Sequence, residues 1–248
     1  MNTIKTIGLT AVAILVLTAC GGETKKEFYN DGSLEFSAEY NSDSKLDGEY
    51  KSYYRNGNPE EEKEYSDGKL DGKHISYFEN GQIKKEMVYT DNEANGDFKS
   101  YYENGKLKSE GTYTKNIFDD TYIMYWEDGK IALSENYKDG KEDGVFESFN
   151  RNGNLLSKIE YSNGLLDGDT LYNIYINSSM KESIFAEFKD GVLENGYAYP
   201  LVTIKGFGYR RTKTKLGNKI TLKTNSDFKR ILQKNGHINL FDKVIGLK

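Results

Sequence analysis

The chain of 248 residues contains one Cys, two Pro, two His and one Trp. A single Cys cannot close an intrachain disulfide, and it leaves no thiolate set for a zinc site. With Pro this scarce and only 25 Gly, a collagen-like chain is excluded. Aliphatic content is low as well. A hydrophobic fraction of 36% is too small for a thick, multilayer core. The histidines, His74 and His237, stand too far apart for a helical metal-binding pair. His74 falls in an aromatic column described below and is expected to pack there. No nucleophile-elbow sequence occurs, and Lys205-Gly206-Phe207-Gly208 lacks the spacing of a phosphate loop. The Asp-Gly turns lack the ligand run of a calcium loop. No catalytic residue, no metal and no cofactor is therefore expected, and the chain reads as a non-enzyme.

What the chain does have is aromatic residues. The 20 Tyr and 12 Phe are too many for a disordered polymer. They suit a thin fold, because a Tyr ring can be buried while its hydroxyl reaches water. Charge is unevenly spread. From Thr203 to Lys248 twelve Lys and Arg face two Asp and Glu, which leaves the rest of the chain at −15 against an overall −5. A basic tail can serve nucleic acid or anionic lipid, or it can dock on the acidic body of its own chain. The export signal described next removes nucleic acid from the expected partners.

Lys5, the apolar stretch Thr6 to Thr18 and the sequence Leu17-Thr18-Ala19-Cys20 follow one another as in a secretory leader. The stretch is too short to span a bilayer as a mature helix. Leu17, Thr18, Ala19 and Cys20 resemble the bacterial lipobox. That resemblance implies cleavage before Cys20, lipid (a palmitate-type acyl chain) on Cys20 and attachment to the cell membrane. The residue after Cys20 is Gly21 and not Asp. In a Gram-negative host this favours the outer membrane, at its periplasmic or surface face. Residues 1–19 are thus expected as signal peptide and 20–27 as a polar tether.

The following segment, 28–199, is built on a period of 24 residues. Gly57, Gly81, Gly105, Gly129 and Gly153 keep that spacing, each preceded by Asn or Asp. So do Gly68, Asn92, Asn116, Gly140 and Gly164, all of types that tolerate a left-handed backbone. A third series runs Gly48, Gly72, Gly96, Asp120, Gly144, Gly168, and a fourth Tyr65, Tyr89, Tyr113, Tyr137, Tyr161. A degenerate copy precedes them, and a looser one follows from Asn173 to about Tyr199. Each unit reads as two strands. Asn-Gly pairs such as Asn80-Gly81 predict type I′ hairpin turns, and a longer connection centred on Asn92 and Gly96 leads to the next unit. The fold class is all-β: an elongated, single-layer antiparallel meander of hairpin repeats.

Alternation assigns the faces of the first strand. Tyr50, His74, Phe98, Tyr122 and Phe146 share a face with Ser52, Ser76, Ser100, Met124 and Ser148, and this face is expected to pack. Tyr53, Tyr77, Tyr101, Tyr125 and Phe149 lie on the other. The parity of the return strand places Ile83 with Tyr89. Glu62, Glu86 and Glu110 read as a ladder of carboxylates on a solvated face.

Tyr101-Tyr102-Glu103-Asn104-Gly105-Lys106-Leu107 and Tyr65-Ser66-Asp67-Gly68-Lys69-Leu70-Asp71-Gly72 resemble the MORN-variant repeats of bacterial proteins labelled as YwqK-type antitoxin components. The resemblance runs from about Phe28 to Tyr199. It implies an elongated β-meander used for attachment to proteins or membranes. Beyond it, 200–248 is expected as a basic capping segment. Strands are predicted at Thr203 to Tyr209, Lys219 to Lys223 and Ile238 to Ile245, and a short helix at Ser226 to Lys234.

Function then divides into classes. The first is a lipid-anchored protein-interaction scaffold of the envelope, its unknown partner contacted by Tyr53, Tyr77, Tyr101 and Tyr125. The second is a glycan- or cell-wall-binding module using its aromatic ladders. The third is an antitoxin-like neutralising partner, as the family label implies.

Overall fold

The computed structural model describes residues 14–19, 22–176, 179–204, 208–211, 214–215 and 220–221. All described elements are strands, and the chain divides into two units, Met1–Ile117 and Phe118–Lys248. The expected helix at Ser226 to Lys234 and the strand at Ile238 to Ile245 lie outside the described residues, as does Cys20.

Unit 1 is an antiparallel meander in which each strand pairs with the next. Its strands are β1 (Ile14–Ala19), β2 (Gly22–Phe28), β3 (Leu34–Asn41), β4 (Leu46–Tyr53) and β5 (Pro59–Ser66). They continue with β6 (Lys69–Tyr77), β7 (Ile83–Thr90), β8 (Glu93–Tyr101) and β9 (Leu107–Thr114). Residues 22–27, expected as a tether, form most of β2. They pair with β3 from Gly22↔Asn41 to Glu27↔Phe36, so this segment is part of the sheet and not a tether leading to it.

The two kinds of turn are exchanged relative to expectation. Between Thr90 and Glu93 only two residues remain, Asp91 (φ 51°) and Asn92 (φ 69°). Both are left-handed, the type I′ pattern, so the connection between repeats is the tight one. The Asn-Gly loop is longer. Gly81 N–H donates to Phe78 C=O at 2.8 Å, and Phe78 N–H to Gln82 C=O at 2.8 Å. Only Gly81 (φ 83°) is left-handed there, because a three-residue loop closes with a type I turn and one left-handed residue. Asn80 instead accepts the Gln82 N–H on Oδ1 at 2.9 Å.

The third glycine series lies inside strands. At Gly72 (φ 126°) a Cβ would run into the Glu64 side chain. That carboxylate covers the glycine and accepts the Lys73 N–H at 3.0 Å.

A bulge in each return strand changes the faces. Ser76 pairs with Lys85 but Tyr77 with Ile83, which leaves Lys84 as an extra residue. Ile83 therefore shares a face with Tyr77, while Tyr89 lies on the opposite face with His74; simple alternation had placed Ile83 and Tyr89 together. The extra residue also has a use: Lys84 Nζ sits 5.9 Å from the centre of the Phe78 ring.

The packed face of unit 1 follows the row Ala38, Tyr50, Lys63, His74, Met87, Phe98. Ala38, Met87 and Phe98 are buried, and so are Ala94, Ser52 and Ser109 on the same face. Tyr rings of the return strands pack on this row, Phe98 against Tyr113 at 5.8 Å and His74 against Tyr89 at 6.0 Å. Burial of the imidazole, reinforced by the Lys63 charge, holds the His74 pKa below its ordinary value, against the pull of Glu61.

The two-residue β10 (Ile117–Phe118) straddles the division of the chain. In unit 2 the meander runs through β11 (Asp120–Tyr125), β12 (Ile131–Lys138), β13 (Lys141–Glu142), β14 (Gly144–Phe149) and β15 (Leu155–Ser162). It then lengthens into β16 (Leu165–Ile176), β17 (Ser179–Lys189) and β18 (Val192–Ile204). Phe146, Ile159, Tyr161, Leu166, Thr170, Tyr172, Ala186 and Phe188 are buried on the packed face of this unit. The short β19 (Gly208–Arg211), β20 (Thr214–Lys215) and β21 (Ile220–Thr221) all pair with β18. The segment predicted as one strand at Thr203 to Tyr209 contributes to two strands, with Ile204 of β18 paired antiparallel with Gly208 of β19.

Candidate functional site

The face of unit 1 opposite the packed one carries a second ordered row. Successive cross-strand pairs join Lys51 to Glu62, Glu62 to Ile75, Ile75 to Glu86, Glu86 to Lys99 and Lys99 to Glu110. The three glutamates are therefore not stacked on one another, because an outgoing strand puts Ile75 or Lys99 between each two. Adjacent carboxylates on neighbouring strands would repel; this spacing removes that cost and supplies opposite charges at three of the five junctions.

Tyr53, Tyr77 and Tyr101 lie on this same face at the end of each outgoing strand, each half-buried. Tyr101 OH donates to Glu86 Oε2 at 3.3 Å, and Glu62 stands in the equivalent relation to Tyr77, close enough for its charge to act on the phenol. Burial raises the pKa of both phenols, and the neighbouring carboxylate raises it further. The carboxylates read from the sequence as a solvated ladder are thus tied to the tyrosine ladder. The offset of 15 residues between Glu62 and Tyr77, and again between Glu86 and Tyr101, is the signal that joins them. Tyr53 lacks such a partner column, since Ser37 pairs with Lys51 at the preceding position of the row.

On the side of the charged row away from the tyrosines lies an open depression of about 270 Å³, bordered by Lys73, Ile75, Glu86, Val88, Asp97 and Lys99. Unit 2 has a depression of about 370 Å³ at the equivalent place, with Lys158, Glu160, Asp169 and Leu171 standing 72 residues after Glu86, Val88, Asp97 and Lys99. The repeat therefore builds the same open shelf twice, with different side chains. Tyr125, the fourth tyrosine of the ladder, is half-buried in unit 2 and pairs with Ile131. Among the described residues, no three His, Cys, Asp or Glu side chains converge as metal ligands.

One edge of unit 1 is fastened from repeat to repeat. Tyr29 OH donates to Tyr53 C=O at 2.6 Å, Tyr54 OH to Tyr77 C=O at 2.8 Å, and Asn80 Nδ2 to Glu103 C=O at 3.1 Å. The Tyr54 ring is consequently held by a structural bond to the next repeat, whereas the Tyr101 hydroxyl bonds a side chain of its own face.

The sequence profile of the MORN repeat variant matches residues 46–67, 70–91, 94–115, 121–139 and 142–163. These five repeats belong to the MORN-variant family. Each matched segment from 46–67 to 94–115 covers one outgoing and one return strand of unit 1, and 142–163 covers the equivalent pair of unit 2. No curated protein matches the chain. Among solved structures, TcdB2-TccC3-TEV aligns with 82% of this chain at 11% identity and a TM-score of 0.27. The chain spans 13% of the length of that structure.

Proposed function

We propose that the protein is a lipid-anchored, non-enzymatic scaffold of the bacterial cell envelope that engages a protein partner through the outer face of its MORN-variant sheet. The observation that carries this reading is the ordered outer row of unit 1, with Tyr101 bonded to Glu86 and Tyr77 placed beside Glu62. Half-buried tyrosines are among the residue types that protein interfaces favour, and the lysines and glutamates around them suit a polar rim.

The lipobox Leu17, Thr18, Ala19, Cys20 supplies the anchor in this reading. Only Gly21 stands between Cys20 and the first residue of β2. A lipid on Cys20 would hold the sheet close against the membrane, with no slack for a long-reaching tether. One acyl chain gives only marginal attachment, so the several chains of a bacterial lipoprotein are needed for stable anchoring. Outer-membrane placement in a Gram-negative host follows from Gly21.

Two measurements test the proposal. Acyl labelling should mark the wild type and not Cys20→Ser, and persistence of label in the variant would overturn the anchor. Crosslinking in intact envelopes should capture a protein partner that Tyr101→Ala loses. Retention of the mature protein on peptidoglycan or polysaccharide beads, abolished by the same substitution, would replace the protein partner with a glycan.

A further inference from the structure

An exposed strand edge presents unpaired N–H and C=O groups to any other strand, so folded sheets cover or blunt their edges. In unit 2 the free edge of β18 is covered by β19, β20 and β21. In unit 1 the first edge belongs to β2, and β1 covers it from Ile14↔Glu27 to Ala19↔Gly22. The covering strand is Ile-Leu-Val-Leu-Thr-Ala, the apolar end of the leader, and the lipobox cleavage point follows directly after Ala19. If the chain is processed as a lipoprotein, the reading on which this inference rests, the mature protein keeps β2 and loses its cover.

We propose that the edge of β2 uncovered by processing pairs with β2 of a second copy, antiparallel, about a two-fold axis centred on Thr24. β1 already demonstrates that this edge accepts an antiparallel strand over six residues. Charge selects the register. In a two-fold antiparallel pair one residue must face its own copy. β2 reads Gly-Glu-Thr-Lys-Lys-Glu-Phe. Centring on Glu23, Lys25, Lys26 or Glu27 sets like charges directly opposite, which is destabilising. Centring on Thr24 sets Thr against Thr and places Glu23 opposite Lys25 of the second copy, twice. Both pairings are favourable across strands. Glu23 and Lys25 already form an ion pair within β2, 2.9 Å between Nζ and Oε1, so the two side chains share one face of the strand.

A seven-residue strand pair buries too little surface for a stable dimer in free solution. Anchoring supplies what the contact lacks. Two copies confined to one membrane meet at a high effective concentration, and a two-fold axis along the membrane normal lets both lipids insert equally. The lipid would thus do more than localise the protein: cutting the leader would switch on its self-association.

The test uses the full gene expressed with its own leader and the protein recovered from membranes in mild detergent. Intact mass establishes whether the N-terminus is lipidated Cys20. Directly opposed residues place their Cβ atoms about 5 Å apart, within reach of a short thiol crosslinker. Thr24→Cys should crosslink to a dimer, and Glu27→Cys should not, being far from its own copy in this register. Lys25→Glu should abolish the Thr24→Cys crosslink, and adding Glu23→Lys should restore it. An uncleaved chain that retains β1 should not crosslink at all. Lipidated, processed protein that stays uncrosslinked at Thr24→Cys, or crosslinks equally at Glu27→Cys, would overturn the dimer and leave the lipoprotein reading standing. A membrane protein whose mass still includes the leader would overturn both.

Discussion

Asn92 and Leu70 hold each other by two hydrogen bonds: Asn92 N–H donates to Leu70 C=O at 2.8 Å, and Leu70 N–H donates to Asn92 Oδ1 at 2.8 Å. Asn116 and Ala94 repeat the pair one unit later, at 2.9 and 2.7 Å. Each tight turn is thereby fastened to the strand that opens the preceding repeat. Where glycine stands in this column, as at Gly68, only the backbone bond to Leu46 C=O remains, at 2.7 Å. Asn thus supplies two things at once, tolerance of a left-handed backbone and a second bond between repeats.

Substitution at Asn92 should separate these two contributions. Asn92→Gly keeps the left-handed turn and loses the side-chain bond, an expected cost of about 1 kcal/mol. Asn92→Ala loses the bond and also replaces Asn, whose short polar side chain tolerates positive φ, with a residue that does not, adding roughly 1 kcal/mol. Urea unfolding of the two variants measures the difference. Equal destabilisation would mean that turn strain does not matter here.

The two aromatic faces should respond differently to truncation. Phe98 is buried at 8% exposure, and Phe98→Ala should cost roughly 3 kcal/mol or more. Tyr101 is half-buried and bonds Glu86 across its own face, so Tyr101→Ala should cost clearly less. Thermal melts rank the pair. A larger loss at Tyr101 would reverse the assignment of the packed face.

Stability should decline in mild acid because of His74. Its folded pKa lies below the ordinary value, chiefly through burial. At neutral pH both folded and unfolded states hold it uncharged. As pH falls below about 6.5 the unfolded chain takes up the proton first, and stability is lost until the folded pKa is passed. His74→Phe, which copies its ladder neighbour Phe98, should flatten the stability profile as pH falls below about 6.5. Parallel profiles for variant and wild type would place the titrating group elsewhere.

In unit 2, Thr170 is 1% exposed, and its Oγ1 has no hydrogen-bond partner among the described residues. A buried hydroxyl left unpaired costs stability, and an apolar group of the same shape removes that cost. Thr170→Val should stabilise the protein by about 1 kcal/mol, read as a raised Tm. A lowered Tm would show that the hydroxyl is engaged.

Much of this protein is legible in its sequence because its order is local. A period of 24 residues, strands of alternating polarity and Gly or Asn at left-handed positions are properties of neighbouring residues, and they determine an antiparallel meander by themselves. The face carrying Phe98 and Phe146 follows from the same alternation. What the sequence could not decide is where alternation breaks. Nothing about Lys84 marks it as the extra residue of a bulge, yet that residue moves Ile83 to the face of Tyr77 and away from Tyr89. The joining of Tyr101 to Glu86 likewise depends on register between strands of different repeats: the 15-residue offset recurs in the sequence, but only the strand pairing makes it a contact. Only cross-strand pairing shows that residues 22–27 are a strand, for their charged, nearly ringless sequence has no apolar face to announce it. Tertiary pairing decided these features because a bulge or an edge is a relation between two strands, whereas a repeat is a relation along one chain.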